Sequence, residues 1–161
     1  MSDLRVGWGF DAHRFGGSPP LVLAGVVASD AVGVEATSDG DVATHAIIDA
    51  VLGGAAIGDL GSFFPSSDPR WHGADSFEML DVALRETRSA GWIVDFVDVT
   101  VICQDVRVAP IRDQMRAKLA KALDVSQDAV SVKATTTDRL GFIGEGEGLA
   151  AVASVTLTRS P

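Results

Sequence analysis

The order of strand-like and helix-like segments constrains the fold of this chain more than any other feature of its sequence. Runs rich in β-branched, aromatic and other apolar residues predict five strands, at LRVGWGF, LVLAGVVA, WIVDFVDVTVIC, AVSVKATTT and LAAVASVTLT. Apolar residues at helical spacing predict three helices, over residues 38–57, 75–90 and 109–123. The turn-prone GGSPP between the first two strands predicts that they form a hairpin. A chain of 161 residues is long enough for one domain with a substantial core, so we expect a single domain over residues 1–161.

Two of the three histidines lie beside acidic residues, in settings typical of metal ligands. Asp11 and His13 are two residues apart, so on a strand their side chains point to the same face. His45 follows in SDGDVATHAIIDA, within the first predicted helix. Two neutral imidazoles and a carboxylate suit Zn²⁺ and leave a fourth coordination position open for substrate or water. The alternative is a buried Asp–His pair that only stabilises a turn.

The start of the first predicted helix carries several acidic side chains. Ser38 and Asp39 are N-cap candidates, which places Asp41 in the first turn, where the helix dipole favours an anion. Asp41, His45 and Asp49 are spaced i, i+4, i+8, so either carboxylate could orient the imidazole. A solvated acidic face is the alternative for both aspartates.

The segment GDLGSFFPSSDPRWHGADS has no helical or strand periodicity and is rich in Gly, Pro, Ser and Asp. It predicts a long loop, and loops of this length commonly have a function. One such function is a lid over a ligand, with Phe63 and Phe64 as an apolar anchor and Asp68 as a polar contact. A plain connection between two helices is the alternative.

Hydroxyl groups cluster at the end of the fourth predicted strand. Thr135, Thr136 and Thr137 precede Asp138, and Lys133 lies just before them. Hydroxyl and amide donors beside a carboxylate and an ammonium group can hold phosphate and Mg²⁺. An ordinary strand end is the alternative. The later Gly-rich turn GFIGEGEG fits neither a P-loop nor a dinucleotide-binding fingerprint.

The composition of the chain limits the kinds of partner it can bind and indicates the compartment in which it works. The net charge of −9 argues against nucleic acid and anionic membranes as general partners. Cys103 is the only cysteine, and the sequence begins with no basic region followed by an apolar run, so we expect a cytoplasmic protein. A hydrophobic content of 47% is high for so small a domain and predicts that some apolar surface contacts another subunit. A core built from small apolar side chains is the alternative.

Several sequence blocks, in this order, resemble one family nearly from end to end. The blocks are GFDAH, SDGDVATHAIIDAVLGGAAIGDLGSFFP, DPRWHGADS, VDVTVI, VKATTTDRLGF and GEGEGLAA. Together they resemble the 2-C-methyl-D-erythritol 2,4-cyclodiphosphate synthases of non-mevalonate isoprenoid biosynthesis. The resemblance implies an α+β fold of one domain, with a mixed β-sheet and helices packed on one side, assembled as a homotrimer with active sites between subunits.

The resemblance also implies a reaction. The substrate would be 4-diphosphocytidyl-2-C-methyl-D-erythritol 2-phosphate, whose 2-phosphate attacks the β-phosphorus, closes the cyclic diphosphate and releases CMP. The enzyme would be a divalent-metal-dependent phosphorus–oxygen lyase.

Position by position, the family pattern implies Asp11, His13 and His45 as Zn²⁺ ligands, and Asp138 beside a Mg²⁺ or Mn²⁺ ion that bridges the diphosphate. Thr136 and Thr37 correspond to the residues that stabilise the reacting phosphates. The implied substrate contacts are Asp11, His13, Thr37, Ser38, Asp59, Gly61, Phe64, Asp68, Cys103, Arg107, Ala109, Ala134, Thr135, Asp138, Phe142 and Glu145. The stretch from Cys103 to Ala109, with Ala134, Thr135 and Thr136, matches the cytidine pocket of the adjoining subunit, and residues 64–68 match a mobile flap.

Three positions depart from the family pattern. Thr37 replaces a His, and Ser66 replaces an Asp in the flap. One of the two charged positions in GEGEG is usually Arg, whereas Glu145 and Glu147 are both acidic here. A threonine can still donate a hydrogen bond to phosphate but carries no positive charge. If Glu145 and Glu147 line a trimer axis, they predict that this protein does not bind an isoprenoid diphosphate there. The alternative is that Glu145 points to solvent and an arginine elsewhere compensates.

Two functions outside the family remain as alternatives. A metal-dependent phosphohydrolase could use the same site to activate water. A non-catalytic trimer could use the metal for structure alone, and it would then unfold on chelation.

Overall fold

The computed structural model describes residues 3–161 of the chain. Six strands are present: β1 (Leu4–Arg14), β2 (Leu21–Leu23), β3 (Val26–Ser29), β4 (Trp92–Ile102), β5 (Val130–Thr135) and β6 (Gly148–Arg159). Five α-helices accompany them: α1 (Val42–Ala55), α2 (Leu60–Phe63), α3 (Ser76–Ser89), α4 (Arg112–Leu123) and α5 (Gly141–Gly144). Short 3₁₀ turns lie at Pro69–Trp71, Ala109–Ile111 and Gln127–Ala129.

The main sheet is mixed, with strand order β1-β6-β4-β5. β6 runs antiparallel to both of its neighbours, whereas β4 and β5 are parallel. The carboxyl ends of β1, β4 and β5 therefore lie at the same end of the sheet. One row of paired residues crosses the sheet through Asp11, Ala151, Val101 and Ala134. The α+β class and the mixed sheet are as expected.

The helices cover one face of this sheet, here called the inner face. Its side chains include Val97, Val99 and Val101 of β4, each fully buried. α1 lies directly on β1 because Gly7 and Gly9 present no side chain there. A Cβ built on Gly7 would lie 1.8 Å from the carbonyl oxygen of Ala50, which is far inside van der Waals contact. The two glycines thus allow a helix backbone to lie against a strand backbone.

The opposite face of the sheet, here called the outer face, carries large apolar side chains that solvent reaches. Val6, Trp8 and Phe10 of β1 are 69%, 63% and 49% exposed. The Trp8 and Phe10 rings stack with centroids 6.5 Å apart. Phe96 of β4 adds to the same face. Exposed large apolar side chains on one face of a sheet are typical of an interface with another protein chain.

The predicted hairpin between the first two strands is wrong. β1 pairs along its whole length with β6, from Leu4 opposite Thr158 to Arg14 opposite Gly148. LVLAGVVA instead folds back on itself as the two-stranded β2–β3 sheet. Ala24 and Gly25 at its turn both have positive φ, 47° and 72°, as a tight two-residue hairpin turn requires.

The first helix begins later than predicted. Asp41, rather than Ser38 or Asp39, is the N-cap, because its carboxylate accepts a hydrogen bond from the backbone N–H of Thr44. The third predicted strand is β4 and the second predicted helix is α3, and both lie where expected. Asp75 is the N-cap of α3. The predicted helix over residues 109–123 starts with a 3₁₀ turn and becomes α-helical at Arg112. Within residues 3–161, every helix is too short or too polar to cross a bilayer.

Candidate active site

Three side chains converge where the end of β1 meets the start of α1. The Asp11 Oδ2 atom lies 3.0 Å from His13 Nε2 and 3.0 Å from His45 Nδ1. The two imidazole nitrogens lie 3.2 Å apart. Within the described residues 3–161, these three residues form the one group of at least three His, Cys, Asp or Glu side chains arranged to hold a metal ion.

The geometry of this triad fits a small divalent cation. Zinc bonds of about 2.0–2.2 Å in a tetrahedral arrangement separate the ligand atoms by roughly 3.3 Å, close to the distances in the triad. Three acceptor atoms at such separations repel one another unless a proton or a cation lies among them. Burial alone raises the pKa of the Asp11 carboxyl, but hydrogen bonds from His13 and His45 in their protonated forms, and the positive charges of those forms, outweigh burial and hold that pKa well below its ordinary value. The predicted ligand set is therefore assembled by the fold.

The close contact between α1 and β1 brings His45 to the strand. A Cβ on Gly9 would lie 2.1 Å from the carbonyl oxygen of Ala46, the residue after His45. Asp11 and His13 follow Gly9 on the same inner face of β1, as their spacing predicted. His45 is only 4% exposed, so its ring is fixed by its surroundings.

The predicted role of Asp41 and Asp49 in orienting His45 is wrong. Asp41 is fully buried, and its carboxylate accepts hydrogen bonds from the backbone N–H groups of Ala24, Gly25 and Thr44 and from the Thr44 hydroxyl. Burial raises the pKa of Asp41, and these hydrogen bonds oppose the rise. Asp49 accepts a hydrogen bond from the backbone N–H of Leu60. Neither aspartate lies on a solvated face of the helix as the alternative proposed, since Asp41 caps it and Asp49 anchors α2.

Two serines contact His45 instead. The Nε2 atom of the ring lies 3.0 Å from Ser38 Oγ and 2.9 Å from Ser76 Oγ. Ser76 also forms a short hydrogen bond with Asp39. No local sequence pattern predicts the contact of Ser76 with His45, because the two residues are 31 positions apart and meet through packing of α3 on α1.

A cavity of about 170 Å³ opens beside the triad. Thr37, Ser38, Phe64 and Ser66 line it together with the metal-ligating side chains, as the family resemblance implied for the first three. Sequence reasoning missed the remaining lining residues, which are Ala36, Leu60, Trp71 and Met79. Their side chains make part of the cavity lining apolar.

The segment predicted as a long loop contains a helical turn and a 3₁₀ turn. Asp59 caps α2 by accepting from the Ser62 N–H, a hydrogen bond that lowers the pKa of its carboxyl. Gly61 lies within this turn. Phe64 is buried, with its ring 4.8 Å from that of Trp71 in an edge-to-face contact. Phe64 thus anchors the segment, as the lid hypothesis required, and Phe63 packs partly buried against the core.

Asp68 contacts an arginine of its own segment. Arg70 Nη2 lies 2.6 Å and Arg70 Nε 2.9 Å from Asp68 Oδ2. These side-chain hydrogen bonds, with one from the Arg70 backbone N–H, lower the pKa of the Asp68 carboxyl. The predicted contact of Asp68 with substrate stays a prediction.

A second pocket, of about 250 Å³, lies where β4 and β5 end. It brings together the residues that the resemblance assigned to cytidine binding: Cys103, Arg107, Ala109, Ala134, Thr135 and Thr136. Cys103 is buried and forms part of the wall. The Thr136 hydroxyl accepts a hydrogen bond from the backbone N–H of Asp138, so the turn after β5 fixes its position.

The remaining predicted residues lie near the end of β1 and α5. Phe142 lines a shallow pocket with Arg14 and Glu147. Arg14 Nη1 lies 3.7 Å from Glu147 Oε2, so an arginine accompanies this glutamate. Glu145 is exposed at the end of α5.

The metal triad and the second pocket lie at opposite edges of the sheet. Asp11 and His13 are on β1, with His45 on the helix α1 that packs against it, and the pocket is at the ends of β4 and β5, with β6 between β1 and β4. Three strand spacings, or roughly 14 Å, separate β1 from β5. The chain therefore presents two separate pockets at the same end of its sheet.

The chain is similar in sequence to one family of known proteins over nearly its whole length. The sequence profile of the YgbB family matches residues 4–158. The 2-C-methyl-D-erythritol 2,4-cyclodiphosphate synthase of Erwinia tasmaniensis is 48% identical over 157 residues, which cover 98% of this chain and all of that protein.

Solved structures agree with the sequence comparison. The bifunctional IspDF from Campylobacter jejuni superposes with a TM-score of 0.96 at 39% identity, covering 99% of this chain and 43% of that one. IspF from Plasmodium falciparum in complex with CDP superposes with a TM-score of 0.84 at 28% identity, covering 98% of this chain and 97% of that one. The chain therefore belongs to the YgbB family, which it matches over nearly its whole length.

Proposed function

We propose that this chain, as one domain over residues 1–161, converts 4-diphosphocytidyl-2-C-methyl-D-erythritol 2-phosphate to 2-C-methyl-D-erythritol 2,4-cyclodiphosphate and CMP. An oxygen of the 2-phosphate forms a bond to the β-phosphorus, and the bond from that phosphorus to the oxygen bridging it to the α-phosphorus breaks. That bridging oxygen leaves with CMP, so the enzyme is a phosphorus–oxygen lyase. The observation that carries the proposal is the Asp11, His13 and His45 triad beside a cavity, in a chain 48% identical to a named synthase.

Asp11, His13 and His45 would hold Zn²⁺, because their donor atoms converge at distances that suit it. Bound there, the ion would supply Lewis acidity and neutralise phosphate charge. Asp138, exposed at the end of β5, is the side chain that would hold Mg²⁺ or Mn²⁺ against the diphosphate.

The reaction joins two anionic groups, so positioning and electrostatic stabilisation supply most of the catalysis. Thr37 and Ser38 line the cavity, where their hydroxyls can donate hydrogen bonds to a phosphate oxygen. Thr136 offers a hydroxyl at the edge of the second pocket, already held by the Asp138 backbone. These donors would orient the attacking phosphate and stabilise charge on the β-phosphoryl oxygens.

The second pocket would hold the cytidine half of the substrate. Residues between Cys103 and Ala109, among them Arg107, line it. The Plasmodium falciparum relative was solved as a CDP complex, which supports a cytidine site in this fold. Asp59, Gly61 and the flap from Phe64 to Asp68 would contact the erythritol half near the metal triad.

A homotrimer would unite the two pockets. One subunit separates the triad from the second pocket by three strand spacings, so a neighbour that brings its pocket to the triad completes the site. The outer face supplies the apolar surface for such packing, with Trp8, Phe10 and Phe96 all exposed.

The test is ³¹P NMR of the purified protein with substrate, Zn²⁺ and Mg²⁺, in ¹⁸O-enriched water. The proposal predicts a coupled pair of cyclic diphosphate resonances and CMP without ¹⁸O, and no product with His13→Ala. A phosphohydrolase would release linear phosphates carrying ¹⁸O. None of the three relatives described above is named a hydrolase.

Chelation distinguishes a catalytic role of the metal from a purely structural one. A large apolar core between helices and sheet holds the fold together, so metal removal should abolish turnover and leave the fold intact. Circular dichroism of the chelated protein measures this directly. Unfolding on chelation would instead support the non-catalytic assembly protein.

A further inference from the structure

We propose that Ser76 and Asp39 are positioning residues of the metal centre, which hold the His45 ring in the tautomer that leaves Nδ1 free to bind the ion. The proposal deepens the proposed function and rests on its metal site. It concerns two residues on different elements, one at the start of α3 and one in the segment before α1.

The contacts form a continuous chain from a carboxylate to the imidazole. Asp39 Oδ2 accepts a hydrogen bond of 3.0 Å from the backbone N–H of Ser76. Asp39 Oδ1 accepts a short hydrogen bond from the Ser76 hydroxyl. The oxygen of that hydroxyl lies 2.9 Å from His45 Nε2. Ser76 is fully buried and His45 nearly so, so water does not compete for these atoms.

The direction of each hydrogen bond follows from the chemistry of the groups. A carboxylate can only accept, so the single hydroxyl proton of Ser76 points to Asp39. The Ser76 oxygen is then an acceptor toward His45, and the Nε2 atom must carry the ring proton. In a neutral imidazole the other nitrogen, Nδ1, is then unprotonated. This is the nitrogen that lies 3.0 Å from Asp11 within the triad.

Ser38 is placed differently from Ser76. Its oxygen is also within 3.0 Å of His45 Nε2, but Ser38 lines the cavity and can contact a ligand there. Ser76 has no exposed surface, so its hydroxyl serves only His45 and Asp39. We therefore assign the fixed part of this hydrogen-bond chain to Ser76.

Backbone pairing keeps the chain in place. The N–H of Asp39 donates to the carbonyl of Ala74 at 3.0 Å, and the N–H of Gly73 donates to the carbonyl of Thr37 at 2.7 Å. The segment before α1 is thus tied to the segment before α3. Asp39 and Ser76 are brought together by this pairing rather than by side-chain contacts alone.

The first test measures zinc affinity by competition with a chromophoric chelator. Removing such an outer partner of a metal-ligating histidine commonly costs about 10–100-fold in affinity, and we expect a loss in this range for Ser76→Ala. Ser76→Thr keeps the hydroxyl and should retain most of the affinity. Asp75→Ala is the matched control, since Asp75 caps the same helix through the Phe77 N–H without contact to His45. Equal affinities for wild type and Ser76→Ala would overturn the proposal.

The second test needs no variant. Long-range ¹H–¹⁵N correlation spectra of the metal-free protein, at a pH where its imidazoles are neutral, report which nitrogen of His45 carries the proton. The proposal predicts the Nε2–H tautomer before any zinc is added, and an Nδ1–H tautomer would overturn it. A wild-type protein that binds no zinc would refute the proposed metal site, whereas zinc binding with an Nδ1–H tautomer would refute only the role of Ser76.

Discussion

Gly9 lies so close to Ala46 that a Cβ atom on the glycine would be 2.1 Å from the alanine carbonyl oxygen. This contact sets the distance between β1 and α1, and with it the distance from Asp11 and His13 to His45. The proposed metal site therefore depends on a glycine that is not itself one of the proposed ligands.

Gly9→Ala should weaken both folding and metal binding. The added methyl group must push α1 away from β1, and overpacking of this kind costs about 1–3 kcal/mol of unfolding free energy. The displaced His45 should also bind zinc at least about tenfold more weakly. Urea denaturation and chelator competition measure the two effects.

Gly53→Ala is the matched control for this change. Gly53 lies in the same helix, and a Cβ built on it meets nothing within 4 Å. This substitution should be neutral or stabilise the protein by about 0.5–1 kcal/mol. If Gly9→Ala behaved like Gly53→Ala, the close packing would not determine the site.

Asp41→Ala should be among the most destabilising single substitutions near the site. It removes the N-cap of α1 and leaves the backbone N–H groups of Ala24 and Gly25 without their acceptor. Loss of the cap and of these partners should cost about 2–5 kcal/mol. Asp75→Ala removes only the cap of α3, so about 1 kcal/mol is expected there. Similar losses for the two variants would contradict the role assigned to Asp41.

The positions of Asp11, His13 and His45 could be predicted because they follow from local rules. Side-chain alternation on a strand placed the first two on one face, and helical periodicity placed the third on α1. Asp41 and Asp49 were assigned wrongly by the same helical rule. Spacing of i, i+4 describes neighbours on a helix surface. The Asp41 carboxylate instead accepts hydrogen bonds from the N–H of Thr44 at the helix start and from the N–H of Ala24 in the β2–β3 turn.

Such local rules do not predict contacts between residues that are far apart in the sequence. The pairing of β1 with β6 joins the two ends of the chain, and no turn sequence signals it. Ser76 reaches His45 only because α3 packs on α1. The roles of Gly7 and Gly9 also depend on which helix covers β1, which the sequence alone does not show. The residues of the second pocket were predicted only from the family resemblance, because they come from β4, β5 and the segment that follows β4.

Thr37→His should accelerate the chemical step. Thr37 lines the cavity beside the metal ligands but carries no charge, whereas a protonated histidine makes a stronger, charge-assisted hydrogen bond to phosphate. A gain of about 1.4 kcal/mol in transition-state stabilisation corresponds to about tenfold in rate. Single-turnover kinetics isolate this step from product release.

Thr37→Val provides the opposite change at the same position. It removes the hydroxyl at nearly constant volume and should slow the step. An unchanged single-turnover rate for Thr37→His would show that this position does not stabilise the reacting phosphates.

Trp8→Glu should prevent subunit assembly and abolish turnover with it. Trp8 lies in the middle of the apolar outer face and is 63% exposed in one subunit, so a carboxylate there would have to be buried in a trimer. Size-exclusion chromatography with light scattering measures the mass. Val27→Glu is the control, because Val27 is an exposed apolar residue on the separate β2–β3 sheet. A monomeric wild type, or a trimeric Trp8→Glu variant, would contradict the assignment of this face.

Mixing two inactive variants tests most directly whether the cyclase site is shared between subunits. His13→Ala removes a metal ligand and Thr136→Ala removes a hydroxyl of the second pocket, so each homotrimer should be inactive. After the variants are unfolded together and refolded at equal amounts, about one site in four should combine an intact triad with an intact neighbouring pocket, because subunits in a cyclic trimer meet head to tail. We predict that cyclic diphosphate, followed by ³¹P NMR, returns at about a quarter of the rate of refolded wild type. No cyclic product in the mixture, with both variants folded and trimeric, would contradict a site built from two subunits.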